Sequence, residues 1–315
     1  MDMTLHKARN VVLLLAVLSL IWSCEEEFIP PIVDVEEQIV VEGYIEGGDR
    51  PTPPYVFLTR SFAFFSELSQ EDLNDAFVRD AEITVSNGTT TVELTELCLE
   101  DVPEDFRAQA ADFLGVDIDS LGINFCVYVD LSLQMLGQEG TSYELNVKAE
   151  GRELSAITRI PEAVPLDSLY FTPPPGEPND TLAQLRVFLT DPVGVPNFYR
   201  YFTQEGLGPF ERPFGSVTDD LLFEGQGFEL PLAKAEPFDG EFDQETFGLF
   251  RVGTDVTIKW MSIDESQYNF WNTLEFSRAN QGPFSSYTRI EHNVQGGLGI
   301  WGGIAARYYP LTVEY

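Results

Sequence analysis

Clustered carboxylates are the side chains whose types and spacing best fit a chemical role. The clusters are Asp112, Asp117 and Asp119; Asp219 and Asp220; and Asp239, Glu241 and Asp243. Calcium takes about six to eight oxygen ligands, largely from carboxylates and carbonyls, so each cluster is a candidate site. None has the spacing of an EF-hand loop. We retain the third cluster as a calcium candidate, but we expect a solvated acidic surface with no bound metal and no cofactor.

Side chains suited to catalysis are sparse. A Ser-His-Asp triad would need His292, because the other histidine, His6, lies in the first residues of the chain, and no G-x-S-x-G elbow is present. Gly297–Gly302 matches G-x-G-x-x-G, but nucleotide binding requires a strand before this motif and a helix after it. A predicted strand follows it here. We therefore predict a bulged turn at these glycines, which permit close backbone approach, and a protein that is not an enzyme.

The first residues resemble an export signal. A basic start around Lys7 precedes the apolar run Val11–Trp22, and Ser23 stands directly before Cys24. This pattern predicts a signal peptide, because the run is shorter than the roughly 20 residues that a transmembrane helix needs. Ile21–Cys24 resembles the lipobox of bacterial lipoproteins, which predicts cleavage before Cys24 and lipid attached to it. An ordinary secretory signal is the alternative.

Cys98 and Cys126 are the two cysteines that remain beyond Cys24. An even pair in an oxidising compartment predicts one disulfide, which would contribute roughly 3–4 kcal/mol through the loop that it closes. Two buried free thiols are the alternative. A metal site at this pair is not expected, since His292 is far away in sequence.

Charge excludes some partners. The chain has 18 Lys and Arg against 52 Asp and Glu, a formal net charge of −34, whereas nucleic-acid binding needs a basic surface. Hydrophobic residues are 43% and aromatic residues 13%, which is enough for a sizeable core and excludes a disordered acidic chain.

Glu25–Glu27 directly follow Cys24 and resemble the signal by which Bacteroidota export lipoproteins to the cell surface. A solvated acidic tether is the alternative.

The spacing of apolar residues predicts an all-β fold of two β-sandwich (Ig-like) domains with a short helix in each. Strands are predicted at Gln38–Ile45, Tyr55–Arg60, Asp80–Ser86, Thr89–Leu94, Phe125–Leu131, Ser142–Ala149, Leu154–Arg159, Leu182–Thr190, Phe198–Thr203, Gly225–Leu232, Gly253–Trp260 and Ile304–Val313. Asn87-Gly88 predicts a type I′ hairpin turn. Helices are predicted over Pro103–Leu114 and, after a capping box at Ser262–Glu265, over about 12 further residues.

Four segments follow from these patterns. They are a signal peptide (1–23), a lipidated acidic tether (24–36), an N-terminal β-sandwich domain with a helical insertion (37–163) and a C-terminal β-rich domain (164–315).

Several motifs together resemble a known family. They are Val40–Tyr44, Tyr55–Ser61, Tyr143–Val147, Leu166–Leu169, Asn197–Arg200 and, as the most specific, Asn293–Gly303. Their order resembles the Bacteroidota lipoprotein family catalogued as domain of unknown function 4249. The resemblance implies an outer-membrane lipoprotein whose gene often lies beside that of a TonB-dependent receptor. It implies no activity and no catalytic residue.

From these observations we expect a surface-exposed outer-membrane lipoprotein, a non-enzymatic accessory or ligand-capture partner of a TonB-dependent receptor. The alternatives are a cell-surface adhesion or envelope-structural lipoprotein and, third, a hydrolase. An exposed aromatic patch on a strand face would favour ligand capture. A converging pocket of acids around His292 would favour the hydrolase.

Overall fold

The computed structural model describes residues 36–62, 69–103, 124–176, 179–236, 243–280 and 288–315. These residues are mostly β, which confirms the predicted fold class. The strands are β1 (Ile39–Gly48), β2 (Tyr55–Arg60), β3 (Glu82–Ser86), β4 (Thr91–Glu93), β5 (Thr95–Cys98), β6 (Cys126–Val129), β7 (Ser142–Ala149), β8 (Arg152–Arg159), β9 (Ser168–Thr172), β10 (Leu182–Thr190), β11 (Phe198–Glu205), β12 (Val217–Asp219), β13 (Gly227–Leu232), β14 (Phe250–Arg251), β15 (Asp255–Ile263) and β16 (Leu298–Thr312). The α-helices are α1 (Gln70–Asp75) and α2 (Glu265–Ala279).

Three sheets organise the described residues. The central sheet has eight strands in the order β12-β11-β15-β16-β1-β2-β6-β5. The first small sheet is β4-β3-β7-β8, and the second small sheet is β13-β10-β14, with β9 also paired to β10. The alternating sequences of β7 and β10 place every second side chain in a core, as a half-buried strand should.

Both small sheets pack on the same face of the central sheet. Side chains directly paired across strands share a face, and Ser262 pairs with both Ala305 and Tyr199. Ala305 belongs to the core under the first small sheet, which also contains Trp301, and Tyr199 belongs to the core under the second, which also contains Trp260. Helix α2 covers part of the opposite face, where its apolar residues pack near Met261 of β15.

The two cores share one sheet. Residues 37–315 form one compact unit, and the central sheet takes strands from both sides of the predicted boundary between residues 163 and 164. The shared sheet arises because β1 pairs in parallel with β16, so Val40 lies beside Leu298. No helix in the described parts of the chain is long and apolar enough to cross a membrane.

Helix α2 confirms the predicted C-terminal helix, but the predicted capping box is wrong. Asp264, not Ser262, is the N-cap and accepts a hydrogen bond from the Gln267 amide. Ser262 belongs to β15, and its hydroxyl accepts a hydrogen bond from the Val164 amide at 3.0 Å. The predicted helix Pro103–Leu114 lies outside the described residues, apart from Pro103.

The hairpin between β3 and β4 differs in detail from the prediction. Ser86 pairs with Thr91, so the loop is longer than a type I′ turn. The Asn87 side chain accepts hydrogen bonds from the Thr89 and Thr90 amides, which fixes a different turn. A two-residue turn with positive φ at both positions occurs instead at Glu150 and Gly151, between β7 and β8.

Candidate binding surfaces

The outer face of the second small sheet carries exposed aromatic side chains. In β10, Leu185 and Val187 point into the core, so the alternate residue Phe188 points outward and is 37% exposed. Tyr170 on the neighbouring strand β9 is 43% exposed. An aromatic patch of this kind on a strand face is the feature that favours ligand capture.

A hydrogen-bonded charge cluster lies among these aromatics. The Tyr170 hydroxyl and the Arg186 Nε both donate to Glu229 Oε1, each at 2.7 Å. These two hydrogen bonds hold the pKa of Glu229 below its usual range. We call Tyr170, Arg186, Phe188 and Glu229 the outer sheet face. It offers an aromatic ring, a cation and a carboxylate side by side.

A cleft of about 620 Å³ adjoins the outer sheet face. Pro231 lines the cleft and is paired with Arg186 in the sheet, so the cleft and the outer sheet face are continuous. The lining combines prolines and Phe247 with the amides of Gln184 and Gln244. In full, it consists of Pro174, Pro175, Asn179, Leu182, Gln184, Pro231, Leu232, Ala233, Gln244, Glu245, Phe247, Gly248 and Leu249.

Local hydrogen bonds fix two walls of the cleft. The Asn179 side chain accepts from the Thr181 and Leu182 amides, and the Asn179 backbone carbonyl accepts from the Tyr315 hydroxyl at 2.7 Å. Elsewhere along the lining, the Glu236 carboxylate accepts from the Gly248 amide at 3.0 Å. Because these walls are tied to the rest of the fold, the cleft is largely preformed.

Two neighbouring loops expose four large aliphatic side chains. Val193 (82% exposed) and Val195 (54%) lie between β10 and β11, and Leu221 (80%) and Leu222 (87%) lie between β12 and β13. We call these four residues the aliphatic tip. Single exposed hydrophobic residues are ordinary, but a group of four on adjoining loops is typical of a contact surface.

Three acids hold the two loops of the aliphatic tip together. Each accepts a hydrogen bond from a backbone amide of the other loop: Asp191 from Gly225 (2.9 Å), Asp220 from Asn197 (2.6 Å) and Glu224 from Gly194 (2.6 Å). One oxygen from each acid lies within 4.8 Å of the others. The buried Tyr199 hydroxyl donates to Asp191 at 2.7 Å, and burial raises the pKa of Tyr199.

The sequence analysis predicted only one of these three acids. Asp220 belongs to it, whereas its predicted neighbour Asp219 accepts a hydrogen bond from the Tyr268 hydroxyl on α2. Asp191 and Glu224 were missed, because the pairing of β11 with β12 brings the two loops together. The sequence did carry one local signal for an acid in a loop, because Asp191 directly precedes Pro192 and Asp-Pro favours a turn.

Of the retained calcium candidates, Asp243 lies in the described part of the chain. Asp243 accepts hydrogen bonds from the Glu245 amide and the Thr246 hydroxyl, which shapes a turn. Asp239 and Glu241 lie outside the described residues, as do Asp112, Asp117, Asp119 and Cys24.

The predicted disulfide is present. Cys98 on β5 and Cys126 on β6 are a directly paired cross-strand pair, with the S–S bond joining them. Both residues are buried against Phe77. The alternative of two free thiols is wrong, and the bond joins the two ends of the segment between β5 and β6.

The remaining sequence candidates have structural contacts. His292 Nδ1 lies 3.1 Å from the carbonyl oxygen of Val294.

The predicted bulged turn is wrong for most of the glycine motif, since β16 begins at Leu298 rather than at the predicted Ile304. Gly299, within β16, has φ +105°, and a Cβ there would lie 1.9 Å from the Val41 carbonyl oxygen. The prediction that these glycines permit close backbone approach is therefore confirmed, within a strand.

A comparison with known families gives one match. The family model described as domain of unknown function (DUF4249) matches residues 25–308. No curated protein and no solved structure matches the chain significantly. The match covers nearly all of the chain, so the chain belongs to the DUF4249 family.

Proposed function

We propose that this chain is a surface-exposed outer-membrane lipoprotein of the Bacteroidota type that captures a ligand for a TonB-dependent receptor and is not itself an enzyme. The observation that carries the proposal is the preformed cleft of about 620 Å³ that continues into the outer sheet face. Ligand sites usually occupy about 300–1,000 Å³ and combine apolar walls with a few polar groups. This cleft lies within that volume range, and its lining mixes apolar with polar groups, of which the polar groups contribute the larger surface.

The lining suggests what the cleft accepts. Prolines and Phe247 offer flat apolar surfaces, while Gln184 and Gln244 offer amide donors and acceptors. Glu245 is the one charged residue among the lining side chains that the structure describes. Such a surface fits a small ligand that is uncharged and has both apolar and hydrogen-bonding faces.

The aliphatic tip supports the receptor part of the proposal. Its four side chains lie on the loops that carry the carboxylates of Asp191, Asp220 and Glu224. Asp191 and Asp220 are buried, whereas Glu224 is exposed, so a partner surface would present an apolar recess with a basic group beside it. The lipid anchor on Cys24 and the receptor neighbour rest on the sequence motifs and on the family resemblance.

Ligand capture can be tested with purified protein. The chain would be incubated with the small-molecule fraction of its growth medium, desalted and weighed by native mass spectrometry. We expect an added mass with the wild type and a clear loss of it with Phe247→Ala, which removes an apolar wall of the cleft.

The matched control is Leu207→Ala. Leu207 is fully exposed on the segment between β11 and β12 and does not line the cleft, so this variant should retain the added mass. An added mass that is equally strong in Phe247→Ala, or none with the wild type, would contradict capture at the cleft.

A further inference from the structure

A second pocket lies between the last turns of α2 and the segment that joins β11 to β12. Its volume is about 270 Å³. Phe214 and Phe276 form apolar walls and are 76% and 54% exposed, and Arg212 and Arg278 also line it. The pocket therefore combines aromatic surface with positive charge.

A buried carboxylate supports the base of this pocket. Glu275 accepts hydrogen bonds from the Ser216 amide at 2.9 Å and from the Ser216 hydroxyl at 2.6 Å. Its Oε1 also lies 3.8 Å from Arg200 Nη2 and 3.6 Å from Arg212 Nη1. One carboxylate is thus shared between two guanidinium groups while it also accepts from Ser216.

The positive charge of the Arg200 guanidinium is not fully compensated by the groups around it. Its guanidinium lies 3.6 Å above the Trp271 ring and 4.8 Å from the Phe202 ring, and its Nε donates to the Ser216 hydroxyl. Burial lowers the pKa of Arg200 to about 10, which means that this environment disfavours the charged form relative to water. An added negative charge nearby would offset that cost.

The local charge is opposite in sign to that of the chain. The guanidinium groups of Arg200 and Arg212 lie near the carboxylate of Glu275, and Arg278 lines the same pocket, in a chain with a formal net charge of −34. The aromatic walls would hold an apolar body, and guanidinium groups match the planar geometry of a carboxylate.

We propose that this pocket binds a small organic carboxylate with an apolar body. The carboxylate would lie against Arg278 and Arg212, and the apolar body against Phe214 and Phe276. The volume lies just under the usual range for ligand pockets, so it fits a compound of about ten non-hydrogen atoms. This site is separate from the cleft and does not depend on the proposed function.

The direct test compares three probes that each carry one polar group on a benzene ring. Benzoate, benzyl alcohol and benzylamine would each be titrated into the full chain at low ionic strength, with binding followed by calorimetry. We expect benzoate to bind about tenfold more tightly than benzyl alcohol, because the carboxylate forms an ion pair with the guanidinium groups and offers two acceptor oxygens. Benzylamine should bind least. Equal affinities for the three probes, or no binding of benzoate, would overturn the proposal.

Variants locate the site. Arg278→Ala should weaken benzoate binding about tenfold, and Arg278→Lys should retain part of the affinity because it retains the charge. Phe276→Ala should weaken benzoate and benzyl alcohol together. Both residues are exposed on α2, so the fold should persist.

The matched control is Arg79→Ala, which removes an exposed guanidinium that pairs with Glu96 on β5 and lines neither this pocket nor the cleft. It should leave benzoate affinity unchanged. Wild-type affinity in Arg278→Ala, or an equal loss in Arg79→Ala, would show that benzoate binds elsewhere and would overturn the assignment.

Discussion

At the scale of single residues, a buried ion pair lies on the face of the central sheet that α2 partly covers. Lys259 on β15 pairs with Glu46 on β1, and the Tyr308 hydroxyl donates to the other Glu46 oxygen at 2.6 Å. The Glu46 side chain is 8% exposed and that of Lys259 is 18% exposed. No local pattern could predict this pair, since its members are far apart along the chain.

Removing one partner of this pair should be costly. We expect Lys259→Met to lower the free energy of unfolding by about 3–5 kcal/mol, because it leaves the Glu46 carboxylate buried without its cation. The double variant Glu46→Gln with Lys259→Met should lose less than Lys259→Met alone. Urea unfolding of the wild type, of Lys259→Met and of the double variant measures these losses.

An exposed pair supplies the control. Lys148 and Glu82 lie 3.9 Å apart with side chains 64% and 75% exposed, so Lys148→Met should change stability by less than about 1 kcal/mol. Equal effects of the two lysine substitutions would show that burial does not govern the Lys259 pair.

Asp264 should give the protein a specific pH dependence. Burial raises the pKa of Asp264 above its usual value, although hydrogen bonds from Thr158 and from the Gln267 amide oppose the shift. A raised carboxyl pKa favours the protonated native state, so its contribution to stability is present at low pH and is lost as the pH rises through the folded-state pKa.

Asp264→Asn removes this titration. The free energy of unfolding of the wild type minus that of Asp264→Asn should therefore fall as the pH rises from about 4 towards neutrality. Urea unfolding at a series of pH values measures the difference. A difference that grows with pH would mean that the native state lowers this pKa instead.

At the scale of secondary structure, much of the fold could be predicted from alternation. The strands Tyr55–Arg60, Ser142–Ala149 and Leu182–Thr190 are present with the predicted bounds. Errors arose where tertiary contacts decide the conformation. The long strand β16 was predicted too short because its glycines suggested a turn, whereas close packing against Val41 and Gln267 requires them.

The glycine of β16 with a positive φ should tolerate no side chain. A Cβ at Gly299 would meet the Val41 backbone, so Gly299→Ala should cost more than about 3 kcal/mol of folding free energy. Gly88 also has a positive φ but has no atom within 4 Å of its Cβ position. Gly88→Ala should cost about 1 kcal/mol from strain alone.

The comparison separates crowding from backbone strain, because both glycines have positive φ. Urea unfolding of Gly299→Ala and Gly88→Ala measures the loss of folding free energy in each variant. Similar losses at Gly299 and Gly88 would indicate that the approach of β16 to β1 is not as close as the structure has it.

At the scale of the whole molecule, the sequence indicated two β regions but not the sheet that they share. Local patterns cannot reveal the parallel pairing of β1 with β16, because its partners lie at opposite ends of the chain. The same limit applies to the binding surfaces. The aliphatic tip and the cleft are each assembled from segments that are distant in sequence.

The proposed lipid anchor makes a prediction for the whole molecule. Cys24→Ser removes the thiol proposed to accept the lipid, so the protein should move from the membrane fraction to the soluble fraction. Cell fractionation with immunoblotting measures this, and Cys98→Ser serves as the control, since it removes a cysteine without touching the lipobox. Retention of Cys24→Ser in the membrane fraction would contradict the lipoprotein assignment.

Association with a receptor in the outer membrane is tested most directly by a pull-down. The tagged chain would be recovered from detergent-solubilised outer membranes, and the retained proteins would be identified by mass spectrometry. We expect a TonB-dependent receptor to be enriched over an unrelated lipoprotein, and the enrichment to be lost when Leu221 and Leu222 are both replaced by Ser. If the wild-type chain enriches no membrane protein, the proposed receptor partnership is wrong.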